Sequence, residues 1–191
     1  MSTVSLQCHP GASCPAVRAI DVTVASDKAG VWQLKYAVHG AIADLQLPEP
    51  AIPRRADGLW RHTCFEVFWR HGGQLRYHEW NFSPSGAWAA YRFDDYRRGM
   101  TPLETAAAPG IVTRAEASEF RLGVVLERPP FAADAGASLE LALSAVIEQR
   151  DGRLSYWALR HAPGQPDFHH PDGFALTLRP DAPACSAITR I

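Results

Sequence analysis

The stretch that decides the fold is VWQLKYAVHG, residues 31–40. Its large apolar side chains fall on every second position, and they are Trp32, Leu34, Tyr36 and Val38. This two-residue period is typical of a β-strand with one buried face. In a helix the same side chains would scatter around the axis, because a helical face recurs every three or four residues. The stretch therefore predicts a strand.

The same period recurs on both sides of this stretch. It is found at residues 20–24, 120–126, 139–143 and 174–178. Asp151-Gly152 stands between two such patterns and supplies the positive φ angles that a tight hairpin needs. Sheets with one apolar face must bury it against each other. We therefore predict an all-β fold, an antiparallel two-sheet β-sandwich of the immunoglobulin-like or jelly-roll-like type.

Length and composition bound the organisation of the chain and its partners. The 191 residues are 47% apolar and 20% charged, with a net charge of -1. We expect a single domain over residues 1–191, with its core at about 15–180, because no linker or repeat divides the sequence. The balanced charge argues against a nucleic-acid partner. The lack of a long apolar run or leader-like start predicts a cytoplasmic protein without membrane contact.

Polar side chains collect on one face of the central strands. Strand alternation places Glu66 with Cys64 and Phe68, and it places Asn81 with other polar residues of the next strand. A buried carboxylate needs compensation. We therefore expect Glu66 to meet either Arg92 or a ligand hydroxyl. A purely structural Glu66–Arg92 ion pair is the alternative.

A tryptophan precedes the first of these strands. Trp60 follows Asp57-Gly58 at the end of a proline-rich loop. A tryptophan at a loop end can present its ring to the apolar face of a sugar. The alternative is an ordinary core tryptophan, so Trp60 is a candidate ligand contact whose exposure decides between the two.

A second concentration of polar residues lies late in the chain, in LRHAPGQPDFHHPDGF. His161, Asp167 and His169 could form a metal site with open coordination positions, although such loops are often simple connectors. A zinc site from Cys8, His9, Cys14 and Cys185 is a further hypothesis.

The sequence contains no GxSxG elbow, phosphate-binding loop or GxGxxG motif. The absence of these signatures favours a protein that is not an enzyme.

Three motifs together resemble a known family. They are LWRHTCFEVFW, YHEWNFSPSGAWAAYRFDDYR and YWALRHAPGQPDFHH. Read in this order, they resemble the bacterial DOMON-like proteins, relatives of the family 9 carbohydrate-binding modules within a group of heme- and sugar-binding β-sandwiches. The resemblance implies a β-sandwich that binds a small ligand.

The resemblance also implies roles for individual residues. Sugar-binding relatives place a tryptophan before the EVF-type strand, a glutamate within it, and polar or basic residues on the following strands. This implies ligand contacts from Trp60, Glu66, Asn81 and Arg92. In those relatives a loop late in the chain contributes a second aromatic ring that encloses the sugar. The corresponding part of this sequence offers Phe168 and His169.

Heme-binding relatives hold iron through a methionine and a histidine or lysine, which implies Met100 and His161 here.

The residue patterns and the resemblance together lead to three functional hypotheses. The first is a non-catalytic module that binds a small saccharide or a similar polyhydroxylated ligand and needs no cofactor. The second is an electron-transfer or sensing domain with heme b. The third is a metal-dependent enzyme that uses the late His/Asp loop.

Overall fold

The computed structural model describes residues 1–27, 30–105, 107–127 and 138–178. Within these ranges the chain forms strands and three short 3-10 turns, at Ile42–Asp44, Leu59–Arg61 and Pro171–Gly173. The strands are β1 Ser2–Cys8, β2 Val17–Ser26, β3 Val31–Gly40, β4 Cys64–His71, β5 Tyr77–Phe82, β6 Trp88–Phe93, β7 Thr101–Pro102, β8 Gly110–Ala115, β9 Glu119–Glu127, β10 Leu139–Glu148, β11 Leu154–Ala158 and β12 Leu176–Leu178. No helix in this described part of the chain is long and apolar enough to cross a membrane.

The named strands all pair antiparallel and form two sheets that share β1. The first sheet runs β8-β9-β3-β2-β1, and the second runs β1-β11-β10-β4-β5-β6-β7, with β12 beside β10. The first residues of β1 pair with β2, whereas Gln7 and Cys8 pair with Ala158 and Trp157 of β11. The predicted antiparallel β-sandwich is confirmed.

The inner faces of the two sheets form the main core. Tyr36 of the first sheet packs against Phe65 of the second, with ring centroids 5.1 Å apart. Phe120 stacks on Phe65 at 6.0 Å. The Tyr36 hydroxyl also donates a hydrogen bond of 2.8 Å to the main-chain oxygen of Glu66. These contacts join the two layers at their centre, where the alternating apolar residues of β3 are buried.

The outer face of the second sheet is buried as well. A smaller apolar cluster lies on it, built from Phe68, Tyr77, Tyr91, Phe93 and Phe174. The segment of residues 159–175, which we call the late loop, supplies Phe174 to this cluster. Because both faces of β4 are covered, its first six residues are all buried. This second layer of cover is what encloses the candidate site.

The Asp151-Gly152 hairpin is found as predicted. It joins β10 to β11, and Gly152 has a φ of 82°, which favours glycine.

A close main-chain contact fastens the end of β3 to the start of β2. A Cβ atom on Gly40 would overlap the carbonyl oxygen of Ala16. That oxygen already accepts a hydrogen bond of 2.8 Å from the Ala41 amide, and the Gly40 amide donates to the carbonyl oxygen of Ser118. The pairing of β2 with β3 shifts register at this point, between Val17 and Ala19. Only glycine fits this approach without displacement of the main chain.

Candidate functional site

A row of polar side chains crosses the outer face of the second sheet. In the β4–β5 pair Glu66 lies opposite Asn81, and in the β4–β10 pair it lies opposite Ser144. Strand alternation adds Cys64 and Glu79 to the same face. We call these five residues the polar face. Each of them is at most 5% exposed, so the predicted placement of Glu66 and Asn81 on one face is confirmed.

Hydrogen bonds connect most of the polar face. The Asn81 amide nitrogen donates to Glu79 Oε1 at 2.7 Å. The Cys64 thiol donates to Asn81 Oδ1 over 3.8 Å. Ser144 Oγ donates to Glu66 Oε2 over a long 3.4 Å. Among the described residues, Glu66 Oε1 has no hydrogen-bond partner, so a buried carboxyl retains free acceptor capacity.

Burial raises the pKa values of both carboxyls of the polar face. Burial raises the pKa of Glu66 well above 4.5, and the neighbouring Glu79 raises it further. Burial raises the pKa of Glu79 to about 7, although the hydrogen bond from Asn81 and the charge of Arg97 oppose this change. The pKa of Glu79 therefore lies near neutral pH.

Trp60 lies at one margin of the polar face. It belongs to the Leu59–Arg61 turn, which follows Gly58 in the left-handed conformation. Its side chain is 39% exposed, and its ring meets Tyr91 edge-on at 6.3 Å. Tyr91 lies opposite Glu79 in the sheet and donates its hydroxyl proton to Asp57 at 2.6 Å. An exposed indole thus borders a buried row of polar groups.

His169 of the late loop covers the opposite margin. Its ring packs at 5.1 Å from both Phe68 and Phe93. Burial and the charge of Arg97 lower its pKa to about 4, so the imidazole is neutral at neutral pH. Its Nε2 atom lies 3.9 Å from Glu79 Oε2.

A hydrogen-bond chain links the Arg97 amide, the Tyr77 hydroxyl and the His169 ring. The Arg97 amide donates to the Tyr77 hydroxyl at 3.2 Å, and that hydroxyl lies 2.8 Å from His169 Nδ1. In the tautomer in which the Tyr77 hydroxyl donates to Nδ1, the imidazole proton lies on Nε2. In this tautomer His169 presents an N–H group toward Glu79.

An ion pair holds the late loop to the turn between β6 and β7. Arg97 Nη2 lies 2.7 Å from Asp167 Oδ1, and the Tyr96 hydroxyl donates to Asp167 Oδ2. Arg97 has a φ of 54°, uncommon for a residue with a side chain. Asp167 also accepts from the His169 amide at 3.0 Å. The ion pair therefore fixes the segment that covers the polar face.

We expect the substitution Asp167→Asn to loosen the late loop. Removal of a partly exposed ion pair of this kind should cost about 1 kcal/mol, which corresponds to about fivefold faster local opening. Hydrogen exchange of the amides of residues 167–174 measures this directly. Asp151→Asn is the matched control, because it removes an exposed pair with Arg153 in a different turn. Unchanged exchange in Asp167→Asn would show that other contacts hold the loop.

Five of the six predicted ligand residues lie on or around the polar face. Glu66 and Asn81 belong to it, Trp60 borders it, and His169 covers it. Phe168 packs beside the aromatic cluster of the outer face, and its ring centroid lies 6.2 Å from that of Tyr156.

Arg92 is the exception, and its predicted pairing with Glu66 is wrong. In β6 the outer-face positions are taken by Tyr91 and Phe93, so Arg92 points to the opposite side. It lies opposite His78, and its Nε atom is 3.9 Å from Asp94. The hypothesis of a structural Glu66–Arg92 ion pair fails for the same reason.

The predicted metal ligands do not converge. His161 donates from Nε2 to the Gln7 carbonyl oxygen at 2.8 Å and packs edge-on against His9. Asp167 is engaged by Arg97, and His169 lies over the aromatic cluster. Within residues 1–27, 30–105, 107–127 and 138–178, no group of three or more His, Cys, Asp or Glu side chains is arranged to hold a metal ion. The structure therefore does not bring the three candidate ligands together as a metal site.

The described residues test the heme hypothesis but not the zinc hypothesis. Met100 is 56% exposed just before β7, whereas His161 follows β11, with strands β6, β5, β4 and β10 between them in the sheet. The structure does not bring this pair together as axial heme ligands. The zinc hypothesis includes Cys185, which lies outside the described residues.

The sequence analysis gave Glu79 no role in the site, and it missed Ser144. The signal for Glu79 was present, since it stands two positions before Asn81 on the same predicted strand face. Ser144 gave no such signal, because its place beside Glu66 depends on the long-range pairing of β4 with β10.

Comparison with known proteins gives likeness of fold. No family model matches the chain, and no curated protein matches it. A candidate carbohydrate-binding protein from Bacteroides uniformis superposes with a TM-score of 0.59 at 14% identity, over 81% of this chain and 75% of that one. A family 9 carbohydrate-binding module from Caldicellulosiruptor kristjanssonii in complex with glucose gives 0.47 at 10% identity, over 76% and 69%. The same kind of module in complex with cellotriose gives 0.46 at 11% identity, over 81% and 75%.

Proposed function

We propose that this chain is a non-catalytic module that binds a small saccharide or a similar polyhydroxylated ligand at the polar face. The observation that carries the proposal is the free acceptor atom of the buried Glu66 carboxyl, in a polar row that Trp60 borders. The likeness of fold to a candidate carbohydrate-binding protein supports the same conclusion.

The chemistry of the row suits hydroxyl groups. Carboxyl, amide and hydroxyl side chains together accept and donate the hydrogen bonds that neighbouring sugar hydroxyls require. In this proposal Glu66, Asn81 and Ser144 take the hydroxyls, and His169 Nε2 adds a donor near Glu79. A large aromatic ring beside such groups covers the apolar C–H face of a sugar. Trp60 takes that role.

We expect Trp60→Ala to weaken sugar binding by about tenfold or more, because the variant loses the apolar contact and keeps the polar row. Titration calorimetry with a panel of monosaccharides and disaccharides measures the affinity. Trp60→Phe should retain part of it. Leu75→Ala is the control, since Leu75 is an exposed apolar side chain in the turn at the far end of the β4–β5 hairpin.

Two results would contradict the proposal. One is the absence of binding to any sugar at millimolar concentration, and the other is an affinity that Trp60→Ala leaves unchanged.

A further inference from the structure

The polar face holds two carboxyl groups whose charges lack a cationic partner among the described residues. The remaining members of the face, Cys64, Asn81 and Ser144, carry no positive charge. Tyr91 contributes a hydroxyl that is engaged with the acidic Asp57. From the first sheet, Tyr36 donates to the Glu66 main-chain oxygen and leaves the carboxyl untouched.

The cations closest to this face are engaged elsewhere. Arg97 forms its ion pair with Asp167 at 2.7 Å. Arg70, further along β4, forms an ion pair with Glu140 at 2.7 Å.

The other nearby groups do not supply the missing charge either. Arg55 donates to the carbonyl oxygens of Leu103 and Ala90. His169 faces Glu79, but it is neutral at neutral pH. When Glu66 and Glu79 ionise, the charge of Arg97 offsets that of Glu79 only in part. Among the described residues no cation forms an ion pair with Glu66, so ionisation is costly in this buried place.

A neutral sugar would supply hydrogen bonds but no charge. A protonated amine supplies both, since an ammonium group carries a positive charge and donates up to three hydrogen bonds. The free acceptor Oε1 of Glu66 offers one of these bonds a partner. An ammonium group also interacts favourably with aromatic faces such as those of Trp60 and Tyr91.

Building on the proposed saccharide function, we propose that the preferred ligand is an amino sugar or a similar polyhydroxylated amine, with its ammonium group between Glu66 and Glu79. Binding of a cation favours the ionised carboxyls and releases the protons that they hold. Affinity for the amine should therefore rise with pH between about 5 and 7, the interval in which Glu79 ionises.

The first test compares three ligands of one skeleton on the unaltered protein. Glucosamine, glucose and N-acetylglucosamine are titrated calorimetrically at about pH 6.5, where an amine of this class remains protonated. We expect glucosamine to bind about tenfold or more tightly than either neutral sugar. We also expect net proton release, seen as a binding enthalpy that depends on the ionisation enthalpy of the buffer.

The second test removes the carboxyl charges one at a time. Glu66→Gln and Glu79→Gln should each reduce the preference for glucosamine over glucose to about threefold or less and diminish proton release. Glu116→Gln is the control, because Glu116 pairs with Arg114 at the surface of the first sheet.

The outcomes separate this inference from the function on which it rests. Equal affinities for glucosamine and glucose overturn the preference for an amine and leave saccharide binding intact. A preference that both glutamine variants retain also overturns it. Failure of all three sugars to bind, together with an inactive wider panel, removes the proposed function as well.

Discussion

Glu79→Gln should raise the free energy of unfolding by about 3 kcal/mol at about pH 8 and leave it nearly unchanged at about pH 4.5. The folded protein raises the pKa of Glu79 from 4.5 to about 7. A difference of one in pKa corresponds to about 1.4 kcal/mol of free energy. A carboxyl with a raised pKa holds its proton more tightly in the folded state. The stability that it contributes is therefore complete below about pH 4.5 and is lost as the pH rises through about 7.

Glutamine keeps the shape of the protonated acid and never ionises, so the variant avoids this loss. Its amide oxygen still accepts the hydrogen bond that Asn81 donates.

The measured quantity is the difference in free energy of unfolding between the variant and the unaltered protein, obtained from urea unfolding at several pH values. The difference in unfolding free energy is needed because the partly buried His78 and His169 act in the opposite direction. Their pKa values are lowered to about 4, so the stability they contribute is present above about pH 6.5 and is lost as the pH falls through about 4. Glu116→Gln should give a flat difference. A loss of stability in Glu79→Gln at about pH 8 would mean that the ionised carboxyl is compensated, which would also weaken the case for an amine ligand.

Gly40→Ala should destabilise the fold by about 2–3 kcal/mol. The added methyl group would overlap the Ala16 carbonyl oxygen. That oxygen belongs to the main chain and accepts a hydrogen bond from the Ala41 amide. It therefore cannot move away as a flexible side chain would. The end of β3 must then separate from the start of β2.

Thermal and urea unfolding measure this loss. Gly110→Ala is the matched control, since a Cβ atom there would meet Val125 at 3.7 Å, an ordinary contact distance. Similar losses in the two variants would show that the close contact is not the cause.

The two-residue period was sufficient to predict the strands and, in the central hairpin, the faces. Residues Phe65, Val67 and Trp69 enter the main core, and Glu66 and Asn81 lie on the other side, as the alternation requires. This succeeds because the inner face of this hairpin is apolar and its outer face carries the polar row, so a slip of one residue would exchange the two sets of side chains.

The errors fall where pairing at long range or an irregular turn decides the geometry. The face of Arg92 depends on how the turn between β5 and β6 sets Phe82 opposite Trp88, which alternation within β6 alone does not reveal. The late loop has no period, so its residues give no sign that Asp167 meets Arg97 rather than His161. Its conformation depends on side-chain contacts with distant strands.

The sharing of β1 between the two sheets has a consequence for synthesis on the ribosome. Strands β4 and β5, which carry four of the five residues of the polar face, can pair with each other as soon as they emerge. β1 is made before them, but its last residues find Ala158 and Trp157 only when β11 has been translated. The late loop follows β11 along the chain. The nascent protein therefore leaves Glu66 and Glu79 without this cover until the late loop has been translated, and the polar face is enclosed only after β11 has been made.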